Sequence, residues 1–146
     1  SLTITTEDLP DPENRVTLSD RIRDRDGLPV PRMTYRVDAN ARAMIAHGQA
    51  RATEAFRAAG AVETVAQDLL VKAGFHLLGT ARMGGDPARS VVDATSRAHG
   101  CPNLVVLDGS VFVTAAALNP TSTIQALALR AADLLVRDRR AIPVAA

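Results

Sequence analysis

The most informative part of the chain runs from residue 76 to residue 135. It reads HLLGTARMGGDP (76–87), SVVDATSRAHGCPNLVVLDGSVF (90–112) and ALNPTSTIQALALRAADLL (117–135). Two polar side chains that could carry chemistry, His76 and Asn119, lie 43 positions apart, each among small and apolar residues. Between them, the Gly-, Asp- and Ser-rich stretch 79–101 is too apolar for disorder, so the sequence predicts an ordered loop system there.

The apolar run LVVL at 104–107 predicts a strand buried on both faces of a parallel sheet. Pro120, at the first helical position, predicts a helix that runs from there to about Arg137, since proline loses no hydrogen bond at that position. Few other parallel strands are predicted, so we expect the strand to complete a sheet built elsewhere. The residues expected to face inward on the helix are Ile124, Leu127, Ala128, Ala131, Leu134 and Leu135.

The amino-terminal half predicts strands and one helix. Strands are expected at 2–6, 16–18 and 33–37, with a polar loop over 19–31 that turns at Asp26-Gly27. Asp38 is expected to cap a helix that continues to about Ala59 and ends at Gly60. The segment 63–72 is typical of a weaker helix or a helix followed by a strand.

Composition limits the classes of function. The chain has 146 residues, is 47% hydrophobic and 23% charged, and carries a net charge of +1, which argues against nucleic-acid or membrane-surface binding driven by charge. The one cysteine, Cys101, allows no internal disulfide and is expected to be half-buried. No metal-ligand spacing and no membrane-spanning apolar run is present. The lack of a visible signal peptide favours the cytoplasm, but the chain starts at Ser1, which leaves export open.

The order of these motifs resembles the carboxy-terminal signature of the glucose-methanol-choline (GMC) family of flavin oxidoreductases. That family carries a His in an HxxGTxRMG context and a second His or Asn before the last helix. HLLGTARMG at 76–84 matches at the His, Gly, Thr, Arg, Met and final Gly. The resemblance is strong over 74–137 and weaker over 1–60. The NPT at 119–121 is similar to bacterial sugar-oxidising members of the pyranose-oxidase kind.

The resemblance implies FAD as the cofactor and a division of roles between the two polar residues. His76 would be the base that takes the alcohol proton while a hydride moves to the flavin, because a hydroxyl needs a base within hydrogen-bonding reach. Asn119 is a neutral donor that would orient the substrate hydroxyl, and it is also a common type of helix cap. The residues implied to contact FAD are Asp108, Gly109, Ser110, Asn119, Pro120, Thr121 and Thr123.

The resemblance also implies a larger unit, because the GxGxxG fingerprint of the family is absent from this chain. We therefore expect a mixed α+β and α/β fold that depends on an amino-terminal FAD-binding segment or chain. Residues 1–75 would contribute part of an antiparallel substrate-domain sheet with a helix. Residues 76–137 would supply the catalytic loop and the strand and helix that complete a Rossmann-like domain, and residues 138–146 a tail.

The interpretation leaves several alternatives open. The substrate is an alcohol or a sugar, and the electron acceptor is oxygen or a quinone-like molecule, so oxidase and dehydrogenase are both allowed. A non-catalytic binding or assembly module that kept the fold without flavin is the main alternative. Four charged residues, Arg82, Asp86, Asp93 and Arg97, are expected to form structural ion pairs, and His47 and His99 to be structural or surface residues.

Overall fold

The computed structural model describes residues 1–67, 69, 74, 76–115 and 118–138. These residues form an α+β arrangement of two antiparallel two-stranded sheets and two helices. The predicted tail beyond Asp138 and most of 68–73 lie outside the described residues. The elements in chain order are β1 (Arg15–Arg23), β2 (Pro29–Thr34), α1 (Ala39–Ala58), β3 (Arg97–Ala98), β4 (Cys101–Val105), a 3₁₀ turn (Gly109–Val111) and α2 (Thr121–Arg137).

β1 and β2 form a hairpin whose turn is held by one carboxylate. Oδ1 of Asp24 accepts the backbone N–H groups of Asp26 and Leu28, both at 2.9 Å, and Gly27 takes the left-handed φ of +81°. The turn at Asp26-Gly27 and a strand over 16–18 are confirmed. The polar loop predicted over 19–31 is wrong, because this compact turn lets β1 continue to Arg23 and β2 begin at Pro29. The strand predicted at 33–37 corresponds to the end of β2, which stops at Thr34.

The strand predicted at 2–6 is wrong, since this segment is irregular. Ile4 contacts α1 instead of pairing in a sheet, and Leu2 is exposed. A Cβ atom built on Gly48 would lie 2.7 Å from Cγ2 of Ile4. An alternating pattern does not show whether an apolar residue such as Ile4 will contact a helix or a sheet.

Helix α1 begins and ends as predicted. Asp38 caps it, with Oδ1 accepting the Ala41 N–H at 2.6 Å. At its end Gly60 has a φ of +88° and donates to Arg57, while Ala61 donates to Phe56, which is the Schellman pattern. The predicted inward face is confirmed as buried or half-buried, and it comprises Ala41, Met44, Ile45, Gly48, Ala52 and Phe56. In contrast, the described residues of 61–69 are not helical.

The hydrophobic core lies between the predicted loop system and α2. Val92 and Val111 are fully buried there, and Ala98 is almost so. The half-buried residues packed around them are Met83, Val106, Phe112 and Leu127. The predicted inward stripe of α2 is confirmed, with Ala131 buried and the other five residues half-buried. None of the helices in the described part of the chain has the length and apolarity that a bilayer crossing requires.

The parallel, doubly buried strand predicted at 104–107 is wrong for this structure. β4 ends at Val105 and pairs antiparallel with the short β3. Leu104 is 51% exposed, because the described residues offer no parallel neighbour and no covering layer for this strand. Cys101 is likewise exposed rather than half-buried, and its Sγ lies 3.1 Å from Oδ1 of Asn103.

The chain has an unusually open surface for its size. Its accessible surface is 11323 Å², whereas a compact monomer of 15.4 kDa exposes about 7,200 Å². Part of this excess is apolar and lies on the β1–β2 hairpin, where Val16, Leu18, Ile22 and Met33 are all exposed. A two-stranded hairpin with one apolar face is marginal alone in water, so this face is suited to packing against further protein.

Replacing Asp38 with Ala removes the acceptor for the first-turn N–H of α1. The free energy of unfolding should fall by about 1 kcal/mol, measured by denaturant titration followed by circular dichroism. Asp38→Asn is the matched control, because it keeps a side-chain oxygen and should retain most of that free energy. Equal losses in the two variants would contradict the capping role.

Candidate functional site

His76 lies on a bend at the edge of a cleft. Its side chain is exposed, and it lines a cleft of about 750 Å³ together with its neighbour Leu77. The inward face of α1 and residues 1–6 form much of the remaining lining. The structure records no hydrogen bond from the His76 ring to another described residue.

The segment that follows His76 is hydrogen-bonded to the 3₁₀ turn. Gly79 N–H donates to Gly109 O at 3.2 Å, Ala81 N–H to Ser110 O at 2.9 Å, and Met83 N–H to Val111 O at 2.9 Å. Three successive carbonyl groups of one segment are therefore used by alternate amides of the other. This ladder brings the predicted residues Gly109 and Ser110 beside the segment that carries His76.

Asp108 organises the turn rather than offering a free acid. Its Oδ1 accepts the backbone N–H of Ser110 at 2.8 Å. The hydrogen bond from the Ser110 side chain and that from its backbone N–H hold the pKa of Asp108 below its usual range. The carboxylate therefore stays ionised near neutral pH and is not a proton donor, as expected for a turn residue.

Gly109 is buried where two elements converge. A Cβ atom built on it would lie 2.7 Å from Cδ2 of Leu78 and 3.3 Å from Cδ1 of Ile124. The absent side chain thus makes room for Leu78, which follows His76, and for the first turn of α2. Packing within the chain accounts for the glycine, and its contact with a cofactor remains a prediction.

The start of α2 leaves its backbone donors free of side-chain caps. The cap position is Pro120, no side chain caps it, and the first turn holds no acidic residue. The first helical hydrogen bond runs from Ile124 N–H to Pro120 O at 2.9 Å. Asn119 is exposed and does not cap the helix, so the capping interpretation of this residue is wrong. Its amide remains available to a ligand.

The donor set at this helix start fits the anionic edge of a flavin. The N–H groups of the first turn carry a partial positive charge, and Thr121 and Thr123 are exposed beside them. These groups are neutral donors, which suits an acceptor that gains negative charge. The structure does not join His76 to Asn119 by a hydrogen bond, and connects their segments through Leu78, Gly109 and Ile124.

The charged residues of the loop system bond to backbone groups, which corrects the predicted ion pairs. Among the described residues, Arg82, Asp86, Asp93 and Arg97 form no ion pair with one another. Arg82 Nε donates to Arg89 O at 2.7 Å, and Arg97 donates to Pro102 O at 2.9 Å. Asp86 accepts the Ala88 N–H at 2.9 Å. Backbone carbonyls and amides inside an ordered loop need partners, and these side chains supply them.

Asp93 is the centre of a hydrogen-bonded turn in the loop system. Its Oδ1 accepts the N–H of Thr95 at 2.7 Å, the hydroxyl of Thr95 at 2.6 Å and the N–H of Arg97 at 3.1 Å. Burial acts to raise the pKa of Asp93, but these hydrogen bonds and nearby His99 outweigh it and lower the pKa. The buried Ser96 takes a left-handed φ of 66° inside this turn. The composition of 79–101 predicted only an ordered loop system here, although DATS at 93–96 is a sequence that favours a turn.

His99 is a structural residue, as expected. Its Nε2 lies 3.0 Å from Ser90 Oγ and 3.1 Å from Gly84 O. Ser90 Oγ lies 2.6 Å from the backbone carbonyl oxygen of Asp86, which can only accept a hydrogen bond. The assignment that satisfies all three groups has His99 donating from Nε2 and Ser90 donating to Asp86. The imidazole cannot then take the Ser90 proton, and the pair is not a nucleophile with its base.

Comparison with known proteins assigns the chain to a family. The sequence model of the GMC oxidoreductase family matches residues 10–128. This range includes the His76 segment, the 3₁₀ turn and the first part of α2. The chain therefore belongs to the GMC oxidoreductase family, and the resemblance seen in its motifs is confirmed.

Three characterised relatives illustrate the match. 2-Methyl-1,2-propanediol dehydrogenase of Mycolicibacterium austroafricanum is 44% identical over 144 residues, covering 94% of this chain and 26% of that protein. Paromamine 6'-oxidase of Streptomyces fradiae is 39% identical over 132 residues, covering 90% and 24%. The fructose dehydrogenase large subunit of Gluconobacter japonicus is 36% identical over 132 residues, also covering 90% and 24%. The chain spans about a quarter of the length of these relatives.

The lowered pKa of Asp93 predicts an acid-labile turn. A carboxyl whose pKa is lower in the folded than in the unfolded state stabilises the fold above its unfolded pKa of about 3.9. That stabilisation is lost as the pH falls through the folded-state pKa. The melting temperature of the wild type should therefore exceed that of Asp93→Asn at pH 7, with the gap closing below about pH 4.

Thr95→Val serves as the partial control, because it removes one of the three donors to Asp93 and keeps the carboxylate. At pH 7 the melting temperature of Thr95→Val should exceed that of Asp93→Asn by less than the wild type does. This difference should disappear over the same acid range. A gap between wild type and Asp93→Asn that stays constant from pH 7 to 3 would contradict the assignment.

Proposed function

We propose that this chain is the carboxy-terminal portion of an FAD-dependent oxidoreductase that oxidises a CH–OH group of an alcohol or a sugar. The observation that carries the proposal is the ladder that joins the His76 segment to Gly109–Val111, together with the packing of Gly109 against Ile124 in the first turn of the uncapped helix α2. A base and a set of neutral donors on adjoining segments are what removal of a proton and a hydride from one carbinol requires.

The relatives support the substrate class. They are named for the oxidation of 2-methyl-1,2-propanediol, paromamine and fructose. A diol and a sugar share only the carbinol group as a common reacting unit. The names include both oxidases and dehydrogenases, so the acceptor for this enzyme is either oxygen or a quinone-like molecule.

His76 acts as the base in this proposal. Its imidazole accepts the proton of the substrate hydroxyl, which is too weak an acid to lose it to water at neutral pH. The exposed ring at the edge of the cleft is open to such a hydroxyl. The side-chain amide of Asn119 donates to the same oxygen and orients it. Asn119 cannot act as the base, because its amide nitrogen does not accept a proton.

The first turn of α2 would hold the cofactor, together with the Asp108–Ser110 turn. Bound FAD would supply the two-electron acceptor for the hydride that leaves the carbinol carbon. The first-turn N–H groups after Pro120, which no side chain caps, and the hydroxyls of Thr121 and Thr123 favour negative charge at this place. Backbone N–H groups of the Asp108–Ser110 turn would contact the ribityl and diphosphate portion.

The open surface supports the proposed partner. An amino-terminal FAD-binding segment, in the same polypeptide or in a second chain, would cover the exposed strand β4 and the apolar face of the β1–β2 hairpin. That segment would also supply the dinucleotide-binding fold that GxGxxG marks. In this arrangement 1–75 contributes to the substrate domain and 76–137 completes the flavin domain.

His76→Ala tests the base directly in the FAD-loaded enzyme. The rate of flavin reduction by alcohol should fall by about 10²- to 10⁴-fold, measured by stopped-flow absorbance under anaerobic conditions. 2-Methyl-1,2-propanediol and fructose serve as probe substrates. His47→Ala is the control, because His47 is an exposed histidine on α1. Flavin reduction at the wild-type rate in His76→Ala would exclude His76 as the base.

Substitutions at Asn119 test the orienting role. Asn119→Leu removes the donor and should lower the limiting rate of flavin reduction by about 10²-fold, the scale seen for a lost transition-state donor. Asn119→His restores a ring N–H donor of the type that the family also uses here, so it should retain most of the rate. Equal rates in Asn119→Leu and wild type would show that this amide does not touch the reacting oxygen.

A further inference from the structure

Gly79 and Gly109 form the first hydrogen bond of the ladder between the His76 segment and the 3₁₀ turn. Gly79 has a left-handed φ of +84° and donates its N–H to Gly109 O at 3.2 Å. A Cβ atom on Gly79 would lie 3.3 Å from Phe112 O, and one on Gly109 would lie 3.3 Å from Leu77 O. Neither glycine has room for a side chain unless the neighbouring backbone shifts.

Gly79 is the first residue after His76 that the turn holds. The next two amides of the ladder, those of Ala81 and Met83, lie further along the chain. Three residues of chain span at most about 10 Å, so the position of the Gly79 backbone limits where the His76 ring can lie. Gly109 also connects the Gly79 backbone to α2, because Ile124 of that helix packs against Gly109.

We propose that Gly79 is a positioning residue for the reaction, because its close approach to Gly109 and Phe112 sets the His76 backbone relative to the start of α2. This inference rests on the proposed function. A base works only within about 2.6–3.2 Å of the proton it takes. A displacement of about 1 Å at the reacting atoms can cost about 10²-fold in rate.

Gly79→Ala in the FAD-loaded enzyme tests the inference. The added Cβ is strained at this φ and meets Phe112 O, so the limiting rate of flavin reduction should fall by about 10- to 100-fold. The dissociation constant of the probe alcohol and the flavin content should stay near wild type. Hydrogen exchange should show faster exchange at the amides of Ala81 and Met83, which reports the backbone shift independently of activity.

Gly27→Ala is the matched control. Gly27 has nearly the same φ, +81°, but a Cβ there meets nothing within 4 Å, and it lies in the β1–β2 turn. This variant should lose comparable stability while keeping both the reduction rate and the exchange protection over 79–83. A similar loss of rate in Gly27→Ala would overturn the inference, because general destabilisation would then explain it.

A double variant, Gly79→Ala combined with His76→Ala, tests the positioning role of Gly79 separately from the role of His76 as the base. If Gly79 acts through His76, adding Gly79→Ala to His76→Ala should produce no further loss of rate. The same fold-loss in both backgrounds overturns the positioning role and leaves His76 as the base. Wild-type reduction in His76→Ala alone overturns the proposed function instead.

Gly79→Asn provides a second variant in case Gly79→Ala does not fold. Asparagine tolerates positive φ better than alanine, yet it carries the same Cβ toward Phe112 O. It should reproduce the slow reduction and the faster exchange at Ala81 and Met83. A wild-type rate together with wild-type exchange in Gly79→Asn would overturn the inference.

Discussion

Three backbone hydrogen bonds join residues 79–83 to residues 109–111 in the carboxy-terminal half of this chain. They join a segment without regular secondary structure to a short 3₁₀ turn, and the buried pair Val92 and Val111 lies directly beside them. Side chains could not make this connection, because the two backbones approach too closely. Glycine at 79 and at 109 is the condition for that approach.

The chemistry of the candidate site depends on the polar groups that this backbone ladder does not use. The ladder uses backbone groups. Among the described residues, no hydrogen bond engages the side chains of His76 and Asn119, and no side chain caps the first turn of α2. Asp108, the nearest carboxylate, is engaged by Ser110 and remains ionised. A helix start with neutral donors and no acidic residue favours an acceptor that becomes negative, which is the character of a reduced flavin.

The helices could be predicted from the sequence because their signals are local. Asp38 and Gly60 bound α1 by capping chemistry, and the inward stripes of both helices follow from their period. The strands failed where the outcome depended on tertiary contacts. Residues 2–6 alternate like a strand but are irregular, with Ile4 against Gly48 of α1, and 104–107 is apolar like a buried strand but has no parallel neighbour among the described residues.

Within the candidate site, the motifs marked the segments that carry His76 and Gly109 but not the contacts between those segments. The sequence placed His76 and Gly109 in motifs, yet only the fold shows that alternate amides after His76 use the carbonyls of the turn. Charged residues of 82–97 suggested ion pairs, since opposite charges alternate there. The structure gives them to backbone groups instead, because an ordered loop has many amides and carbonyls without regular partners.

We propose that this chain is a working part of a flavoenzyme whose cofactor-binding fold lies in another segment. An absorption spectrum of the native preparation, recorded with the intact mass of every polypeptide in it, tests that claim most directly. We expect the visible band of oxidised flavin and a polypeptide mass well above 15.4 kDa, either as a longer chain or as a second one. A colourless preparation that contains a single 15.4 kDa species would contradict it.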